Sequence, residues 1–394
     1  MISHPWRVAV VVQRYGLEVN GGAELHARWL AEHLQSLAHV EVITTCALDY
    51  HTWADHYPPG RDMVNGVPIT RFPVDAPRDW KRAGKLTRHI LNFSHSIYDE
   101  ISWMKAQGPY STPLLDHLQK RRRHVDFFLF FTYLYATTYF GMPLVSDKAV
   151  LVPTAHEDEF MGLPLFRPLF HLPQAIVYNT KTEKALVNEI TGNRQVPSLI
   201  AGVGIDVPAD ISGERFRQRH GIEGDFLLYV GRIAESKNIP ELVEYFLRYR
   251  EASSRPLKLV LQGRPHLPLP QHPDIVSLGY VPEEDKFDAL EAAAAVITPS
   301  KVESLSMLAL EAWLMGKPVV ANGRCAVLKQ QCRDSNGGLY YTTFEEFAGI
   351  MERLLPDARL REELGANGRA FARRNYDWNV VVAKYHSLFS ALSV

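Results

Sequence analysis

Short apolar runs alternate with stretches of helical periodicity along most of the chain. Residues 7–12 and 40–45 have the length of strands, and Ala27, Leu30 and Leu34 between them fall on one face of a helix. The apolar run that ends at Phe131 is typical of a strand buried on both faces. Further strands are predicted at 149–153, 175–178, 226–230, 257–261, 275–278, 295–298 and 318–321, and helices at 88–107, 111–122, 180–190, 240–250, 283–293, 306–315, 344–354, 357–374 and 377–391. This alternation predicts an α/β fold with parallel, doubly wound sheets.

The length of the chain and one glycine-rich run divide this pattern in two. A chain of 394 residues exceeds one ordinary hydrophobic core and suits two domains. Glycines and a proline at 200–209 end one repeating pattern, and a new one begins at Phe226. We therefore expect two Rossmann-like domains that face each other across a cleft, with an N-terminal domain at 1–206 and a C-terminal domain at 207–375.

Composition narrows the class of protein without naming a ligand. A net charge of −1 gives no general attraction to nucleic acid or to a membrane. The first apolar run is too short for a signal peptide and no run has the length of a membrane span, so a cytoplasmic protein is expected. The three cysteines, Cys46, Cys325 and Cys332, have no zinc or redox spacing, which agrees with a reducing compartment.

One stretch of the N-terminal half is basic. Residues 61–123 contain 12 Lys or Arg against 6 Asp or Glu, and most of the surplus lies in 78–123. The stretch is either a solvated face or a patch for an anionic lipid or an anionic acceptor, through which the protein would touch the inner face of a membrane.

The segment from Pro299 to Ala321 carries the most chemical information. It reads as the end of a strand, a loop, a helix that Gly316 ends, and another strand. Glu303 lies at the carboxyl end of the first strand, where parallel sheets bind ligands, and Glu311 lies eight residues later inside the helix. The amides of 304–307 are free to face phosphates. Alternatively, Ser300 and Glu303 form a capping box and Glu311 is a solvated helix residue.

This Glu-x7-Glu segment, framed by Pro-Ser and Gly-x-Pro-Val-Val-Ala, resembles the nucleotide-sugar signature of retaining GT-B glycosyltransferases of the group 1 type. The resemblance implies that Glu303 binds hydroxyls of the donor sugar and that Glu311 binds the ribose. It also implies that the last helix, 376–394, packs back on the first domain, although docking on the second domain is equally compatible with the sequence. The family often has glycines where this chain has Ser304 and Ser306, which puts the identity of the sugar in doubt.

Two further segments extend the resemblance to charged residues. Gly231 to Asn238 matches the family's Gly-Arg-x4-Lys, and Arg232 and Lys237 would stabilise the charge of a leaving diphosphate without a metal. A surface ion pair between Lys237 and Glu235 or Glu241 is the alternative. His156 resembles the family's histidine at the donor sugar, with a structural histidine or a metal-binding loop at 157–159 as alternatives.

The remaining candidates are backbone contacts. Gly21 and Gly22 resemble the family's glycine loop near the donor diphosphate, and a turn is the simpler explanation of a lone glycine pair. No Gly-x-Gly-x-x-Gly occurs, which disfavours a nicotinamide dehydrogenase. Tyr280 and Val281 resemble the position whose backbone meets the base, or they are strand residues. The donor-binding residues implied by the resemblance are Gly21, Gly22, Tyr280, Val281, Ser304, Leu305, Ser306, Met307 and Glu311.

We therefore predict a metal-independent retaining hexosyltransferase that moves a sugar from a nucleotide diphosphate sugar to an acceptor hydroxyl. The resemblance implies a role in glycan or polysaccharide biosynthesis, same-face substitution and a glycan, lipid-linked or small-molecule acceptor. His156, Arg232, Lys237 and Glu303 are the predicted catalytic residues, and no cofactor, metal or nucleic acid is expected. The alternatives are a nucleotide-sugar epimerase or a glycan phosphorylase on the same fold, or a non-catalytic nucleotide-sugar-binding protein.

Overall fold

The two sheets of the protein lie in two separate units of the chain. The computed structural model describes residues 5–19 and 21–393. One unit comprises the chain up to Gly204 together with the segment from Trp378, and the other comprises Ile205–Asp377. Each boundary lies two residues from the limits expected from the sequence, which were 1–206 and 207–375.

The first unit is an eight-stranded sheet covered by helices. Its strands have the order β3-β4-β2-β1-β5-β6-β7-β8, and neighbours are parallel except for the β3–β4 hairpin. Its elements are β1 (Trp6–Val11), α1 (Gly22–Leu34), β2 (Ala38–Thr45), β3 (Gly60–Val64), β4 (Val67–Phe72), α2 (Trp80–Asn92), α3 (Ile97–Gln107), α4 (Thr112–Arg121), β5 (Phe127–Phe131), α5 (Ala136–Gly141), β6 (Ala149–Val152), α6 (Phe166–Leu169), β7 (Ala175–Tyr178), α7 (Lys181–Thr191) and β8 (Ser198–Ile200).

The second unit is a six-stranded, fully parallel sheet in the order β11-β10-β9-β12-β13-β14. The strand order reverses between β9 and β12, and open parallel sheets bind ligands at such a switch point. Its elements are α8 (Gly213–His220), β9 (Phe226–Val230), α9 (Ile239–Ala252), β10 (Lys258–Gln262), β11 (Ile275–Gly279), α10 (Glu283–Ala292), β12 (Ala295–Thr298), α11 (Met307–Leu314), β13 (Val319–Asn322), α12 (Ala326–Ser335), β14 (Gly338–Tyr341), α13 (Phe344–Leu354) and α14 (Ala358–Tyr376).

The last helix, α15 (Trp378–Leu392), belongs to the first unit. Its apolar face places Val381, Tyr385 and Phe389 in the core of that unit with no exposed surface. The ring of Phe389 stacks on Phe127 of β5, with centroids 4.6 Å apart. No helix in the described ranges is long and apolar enough to cross a membrane.

The apolar patterns predicted most elements within one or two residues, with three corrections. The helix expected at 88–107 is two helices, because Ser96 and Asp99 form a capping box that starts α3. Strand β3 runs antiparallel to β4, so the first sheet is not wholly parallel. Several elements were not predicted: strands β3, β4, β8 and β14 and helices α5, α6, α8 and α12. The first three residues of β14 are only half-buried, so its apolar pattern is weak.

Glycines allow α14 to pack closely on α11 in the second unit. A Cβ at Gly368 would collide with the ring of Trp313, which is fully buried and donates from its indole nitrogen to the Gly337 carbonyl at 2.8 Å. Gly365 lies equally close to the backbone of Gly316, whose left-handed conformation ends α11.

We expect Gly368→Ala to destabilise the second unit by about 1–3 kcal/mol, because the new methyl group overfills the contact with Trp313. Gly349→Ala is the matched control, since Gly349 is exposed within α13 and a Cβ there meets nothing within 4 Å. The control should stabilise by up to about 1 kcal/mol, through helix propensity alone. Thermal melting of both variants checks this, and equal melting temperatures would contradict the packing described.

Candidate functional site

Two loops at the switch point of the second sheet bring the predicted charged residues together. Lys237 follows β9 and Glu303 follows β12, and the Lys237 ammonium donates to the Glu303 carboxylate at 2.5 Å. The side chains keep 26% and 19% of their surface exposed, so a ligand can still reach both. The alternative pairing of Lys237 with Glu235 or Glu241 is wrong, because Glu303 is its partner.

Tyr229 on β9 contacts the loop that carries Lys237. Its hydroxyl donates to the Arg232 carbonyl at 2.9 Å and so fixes the loop that carries Arg232 and Lys237. Burial raises the pKa of Tyr229 and the nearby Glu303 charge raises it further, while Arg232 lowers it. Arg232, Lys237 and Glu303 therefore share one edge of the sheet, as the sequence predicted.

Glu241 ties the loops of this edge to one another. The side-chain amide of Asn238, which has the left-handed conformation at the start of α9, donates to Glu241 at 2.8 Å and to the Pro299 carbonyl at 3.1 Å. Asn322 at the end of β13 donates to the same carbonyl at 3.0 Å. Asn238, Glu241 and Asn322 were not predicted as site residues, because the contacts of both asparagines with Pro299 join positions far apart in the chain.

Burial alone would raise the pKa of Glu241, but the hydrogen bonds from Asn238 and Lys301 and the charges of Lys301 and Arg324 outweigh it, so the pKa is lowered. Glu241 is thus held as a carboxylate. It stays a fixed acceptor for the two loops on either side of it.

Helix α11 begins at Met307, with Ser306 as its N-cap accepting from the Ala309 amide at 3.3 Å. The capping box of Ser300 and Glu303 is therefore wrong. Residues 304–307 form the turn that enters the helix, so their backbone lies at its positive end. Although Ser304 and Ser306 stand where the family often has glycines, the backbone amides of 304–307 still precede α11, where a phosphate was predicted to bind.

Glu311 lies inside α11 and is not a solvated residue. Its carboxylate is 7% exposed and accepts from Lys286 of α10 at 2.7 Å. Burial alone would lower the pKa of Lys286, but the charges of Glu311 and Glu283 more than compensate, and the pKa is raised. Lys286 is a site residue that sequence reasoning missed, since nothing in its local pattern identifies the partner 25 residues away.

The loop after β11 contains the position predicted to meet a base. Gly279 has a left-handed conformation and ends the strand, so Tyr280 and Val281 are loop residues and not strand residues. Tyr280 is 68% exposed, and its ring centroid lies 6.0 Å from the Arg264 guanidinium. Tyr280 and Val281 thus lie in the loop at the carboxyl end of β11.

In the first unit, a carboxylate already occupies the glycine loop. Gly21 precedes α1, and a Cβ there would collide with the Glu24 carboxylate. Glu24 accepts from Arg14 at 2.6 Å and from Gln13 at 2.9 Å, and all three side chains are buried. The start of α1, with Gly22 as its first residue, therefore faces an internal anion.

His156 lies on a loop that a buried glutamate holds in place. Glu183 of α7 accepts from the Ala155 amide and from the Asn179 amide, each at 2.5 Å. Burial raises the pKa of Glu183 to about 8, although the hydrogen bonds from Asn179, Ala155 and Thr180 lower it. His156 itself is 40% exposed, so its ring is accessible. Glu183 was not predicted.

In the acidic run that follows His156, Asp158 accepts hydrogen bonds that hold the loop in place. Asp158 accepts from the Tyr133 hydroxyl at 2.6 Å and from the amides of Phe160 and Met161 at 2.8 and 2.9 Å. Within residues 5–19 and 21–393 no group of three His, Cys, Asp or Glu side chains is placed to hold a metal ion.

Solved structures of other proteins identify the fold. Sucrose-phosphate synthase from Thermosynechococcus elongatus has a TM-score of 0.71 at 15% identity, over 98% of this chain and 99% of that one. HepE from Anabaena, solved with UDP and glucose, has a TM-score of 0.69 at 16% identity, over 98% and 100%. These likenesses show that the fold is GT-B.

Residues 212–371 match the sequence family Glycosyl transferases group 1. An uncharacterised glycosyltransferase of Methanocaldococcus jannaschii is 26% identical over 95% of both chains. A D-inositol 3-phosphate glycosyltransferase of Frankia alni is 30% identical over 43% of this chain and 48% of its own length. An alpha-D-kanosaminyltransferase of Streptomyces kanamyceticus is 27% identical over 43% and 47%. This chain thus spans about half the length of the last two relatives.

The family match and the GT-B fold together support the assignment of this chain to the group 1 glycosyltransferases. They also support the conclusion that the protein is a glycosyltransferase enzyme.

We expect Lys286→Met to destabilise the second unit by about 3 kcal/mol, because it leaves the Glu311 carboxylate buried without a cation. The double variant Lys286→Met with Glu311→Leu removes both charges and should recover most of the loss. Urea denaturation monitored by circular dichroism measures the difference. A single variant as stable as the wild type would contradict the buried pair.

Proposed function

We propose that the protein is a metal-independent retaining glycosyltransferase that uses a nucleotide diphosphate sugar, with a role in glycan or polysaccharide biosynthesis. The observation that carries the proposal is the convergence of Lys237 and Glu303 at the switch point of the second sheet, at 2.5 Å. The Anabaena protein of the same fold was solved with UDP-glucose, which supports a nucleotide-sugar donor.

The cationic side chains on the loop after β9 would bind the diphosphate. Negative charge develops on the leaving phosphate as the glycosidic bond breaks, and Arg232, Lys237 and the positive end of α11 would stabilise it. Lys237 would exchange its contact with Glu303 for a phosphate oxygen. That exchange frees the Glu303 carboxylate to accept from hydroxyls of the donor sugar.

Glu311 would accept from the ribose hydroxyls and the backbone at Tyr280 and Val281 would face the base. Glu311 forms an ion pair with Lys286, and a carboxylate only accepts hydrogen bonds, which suits a diol. The leaving phosphate itself would accept the proton of the attacking hydroxyl, on the same face of the sugar.

We also propose a cytoplasmic protein that touches a membrane peripherally through the basic patch 78–123. Two exposed aromatic side chains within this segment, Phe93 at 66% and Tyr98 at 77%, support the contact. Cosedimentation with phosphatidylglycerol vesicles tests it, and recovery of all the protein in the supernatant would refute it.

We expect Lys237→Ala to lower the turnover of nucleotide diphosphate sugar by a factor of about 100 or more, because a cation at the leaving group is lost. Lys301→Ala is the matched control, since Lys301 pairs with Glu241 at 3.2 Å on the same edge but is 46% exposed. It should keep turnover within about threefold, because exposed ion pairs contribute little. Release of nucleoside diphosphate is the readout.

Equal turnover in both variants would remove Lys237 from the mechanism. Conversion of the donor sugar to an epimer without any acceptor would favour the epimerase. Saturable donor binding without transfer or hydrolysis would favour a non-catalytic binding protein.

A further inference from the structure

A half-buried arginine without a carboxylate partner lies in the first unit, on the loop after β4. The Arg78 guanidinium donates from Nε to the Gln107 carbonyl at 2.8 Å, and from one terminal nitrogen to the same oxygen. Its central carbon lies 5.0 Å from the ring centroid of Trp53 and 4.8 Å from that of Trp80. The two tryptophans and one carbonyl therefore fix the guanidinium in position.

In the described part of the chain, no carboxylate lies within ion-pair distance of Arg78. The nearby Asp49 carboxylate is engaged otherwise, since it accepts from the amides of His51 and Thr52 and from the Thr52 hydroxyl. Burial lowers the pKa of Arg78 to about 10, although Tyr135 and Asp49 raise it. Arg14 differs, because Glu24 is its ion-pair partner.

A guanidinium withdrawn from water without a counter-ion is unfavourable, and a bound anion relieves that cost. The other terminal nitrogen of Arg78 makes no hydrogen bond among the described residues, so it can donate to a ligand.

The Trp80 ring beside the guanidinium continues into a row of aromatic rings through His51 to Tyr50, whose ring also lies 5.5 Å from the Arg14 guanidinium. Trp80 is 50% exposed, and the His51 ring lies 5.9 Å from it and 4.1 Å from Tyr50, between centroids. Exposed ring faces beside a few fixed polar groups are typical of small-ligand sites, and sugar rings offer an apolar face to such a wall.

The adjoining helix adds positive potential. Lys81, Lys85 and Arg88 are exposed and share one face of α2, and α2 contains no acidic residue. A dianionic phosphate gains more from this field than a monoanionic carboxylate does.

We propose that Arg78 and the rings of Trp80, His51 and Tyr50 form a subsite for an acceptor that carries a phosphate ester on a sugar or polyol. The role of the subsite in binding an acceptor rests on the proposed glycosyltransferase function. Its ability to bind a phosphate ester rests only on residues of the first unit. Either a free sugar phosphate or the headgroup of a phosphoglycolipid has this chemistry.

Calorimetric titration of the full chain with glucose and with glucose 6-phosphate tests the subsite. We expect glucose 6-phosphate to bind more tightly than glucose, and Arg78→Gln to weaken its binding about tenfold, because a charge-assisted bond is lost. The matched control is Arg82→Gln, an equal charge change at an exposed position of α2. It should stay within about twofold of the wild type, since exposed charges are screened.

Trp80→Ala removes the exposed ring without removing a buried hydrogen bond, and it should weaken glucose 6-phosphate binding as well. It keeps the test valid if Arg78→Gln fails to fold. Equal affinity in the Arg78, Trp80 and Arg82 variants would overturn the subsite.

Phosphatidylcholine vesicles with and without phosphatidylinositol distinguish the two sources. Arg78-dependent binding to the vesicles alone assigns a lipid headgroup, and binding to glucose 6-phosphate assigns a free acceptor. Binding to neither probe would overturn the subsite. Titration with nucleoside diphosphate distinguishes the two proposals. If nucleoside diphosphate does not bind but glucose 6-phosphate binds at Arg78, the donor site is contradicted and the subsite is supported.

Discussion

The pairing of opposite charges at the carboxyl edge of the second sheet is the interaction on which the proposed site depends. Lys237 with Glu303 and Lys286 with Glu311 each place a cation against a carboxylate. The two pairs differ in burial, and that difference decides their roles. The first is accessible and can exchange partners with a ligand, whereas the second is withdrawn from water and joins α10 to α11.

The backbone around these pairs is held by contacts that join separate loops. Asn238 at the start of α9 and Asn322 at the end of β13 donate to the Pro299 carbonyl, and Glu241 accepts a hydrogen bond from Asn238. Asparagine tolerates the left-handed conformation at 238, and its amide adds two hydrogen bonds that glycine would not make. Lys237 therefore follows β9 on a short, fixed loop, which is the preorganisation that electrostatic stabilisation of a leaving group requires.

The hydrophobic periodicity of the sequence predicted those elements whose structure depends on neighbouring residues. Most apolar strands of both sheets, the glycine that ends α11 and the position of Glu303 at the carboxyl end of a strand could be inferred, because each depends on residues close in the chain. The β3–β4 hairpin was missed although Asn65 and Gly66, both left-handed, are a strong hairpin signal. Exposed residues on β3 hid the alternation that would have drawn attention to it.

Partners could not be predicted, since they depend on tertiary contacts. The candidate residues Glu303 and Lys237 were both found, yet their mutual pairing joins positions 66 residues apart. Lys286, Glu183 and Arg78 have no motif, and only the fold reveals what surrounds them. For Arg78 the informative feature is a missing carboxylate in the described ranges, which no sequence pattern records.

The central claim is a donor site that binds nucleoside diphosphate through protein cations and backbone. Thermal denaturation of the purified protein with a panel of nucleoside diphosphates and their sugars, with and without EDTA, tests it most directly. We predict that nucleotides of one base stabilise the protein by about 2–3 kcal/mol at a hundredfold excess over Kd, and that EDTA leaves this stabilisation unchanged. Stabilisation by no nucleotide, or stabilisation that EDTA abolishes, would contradict it.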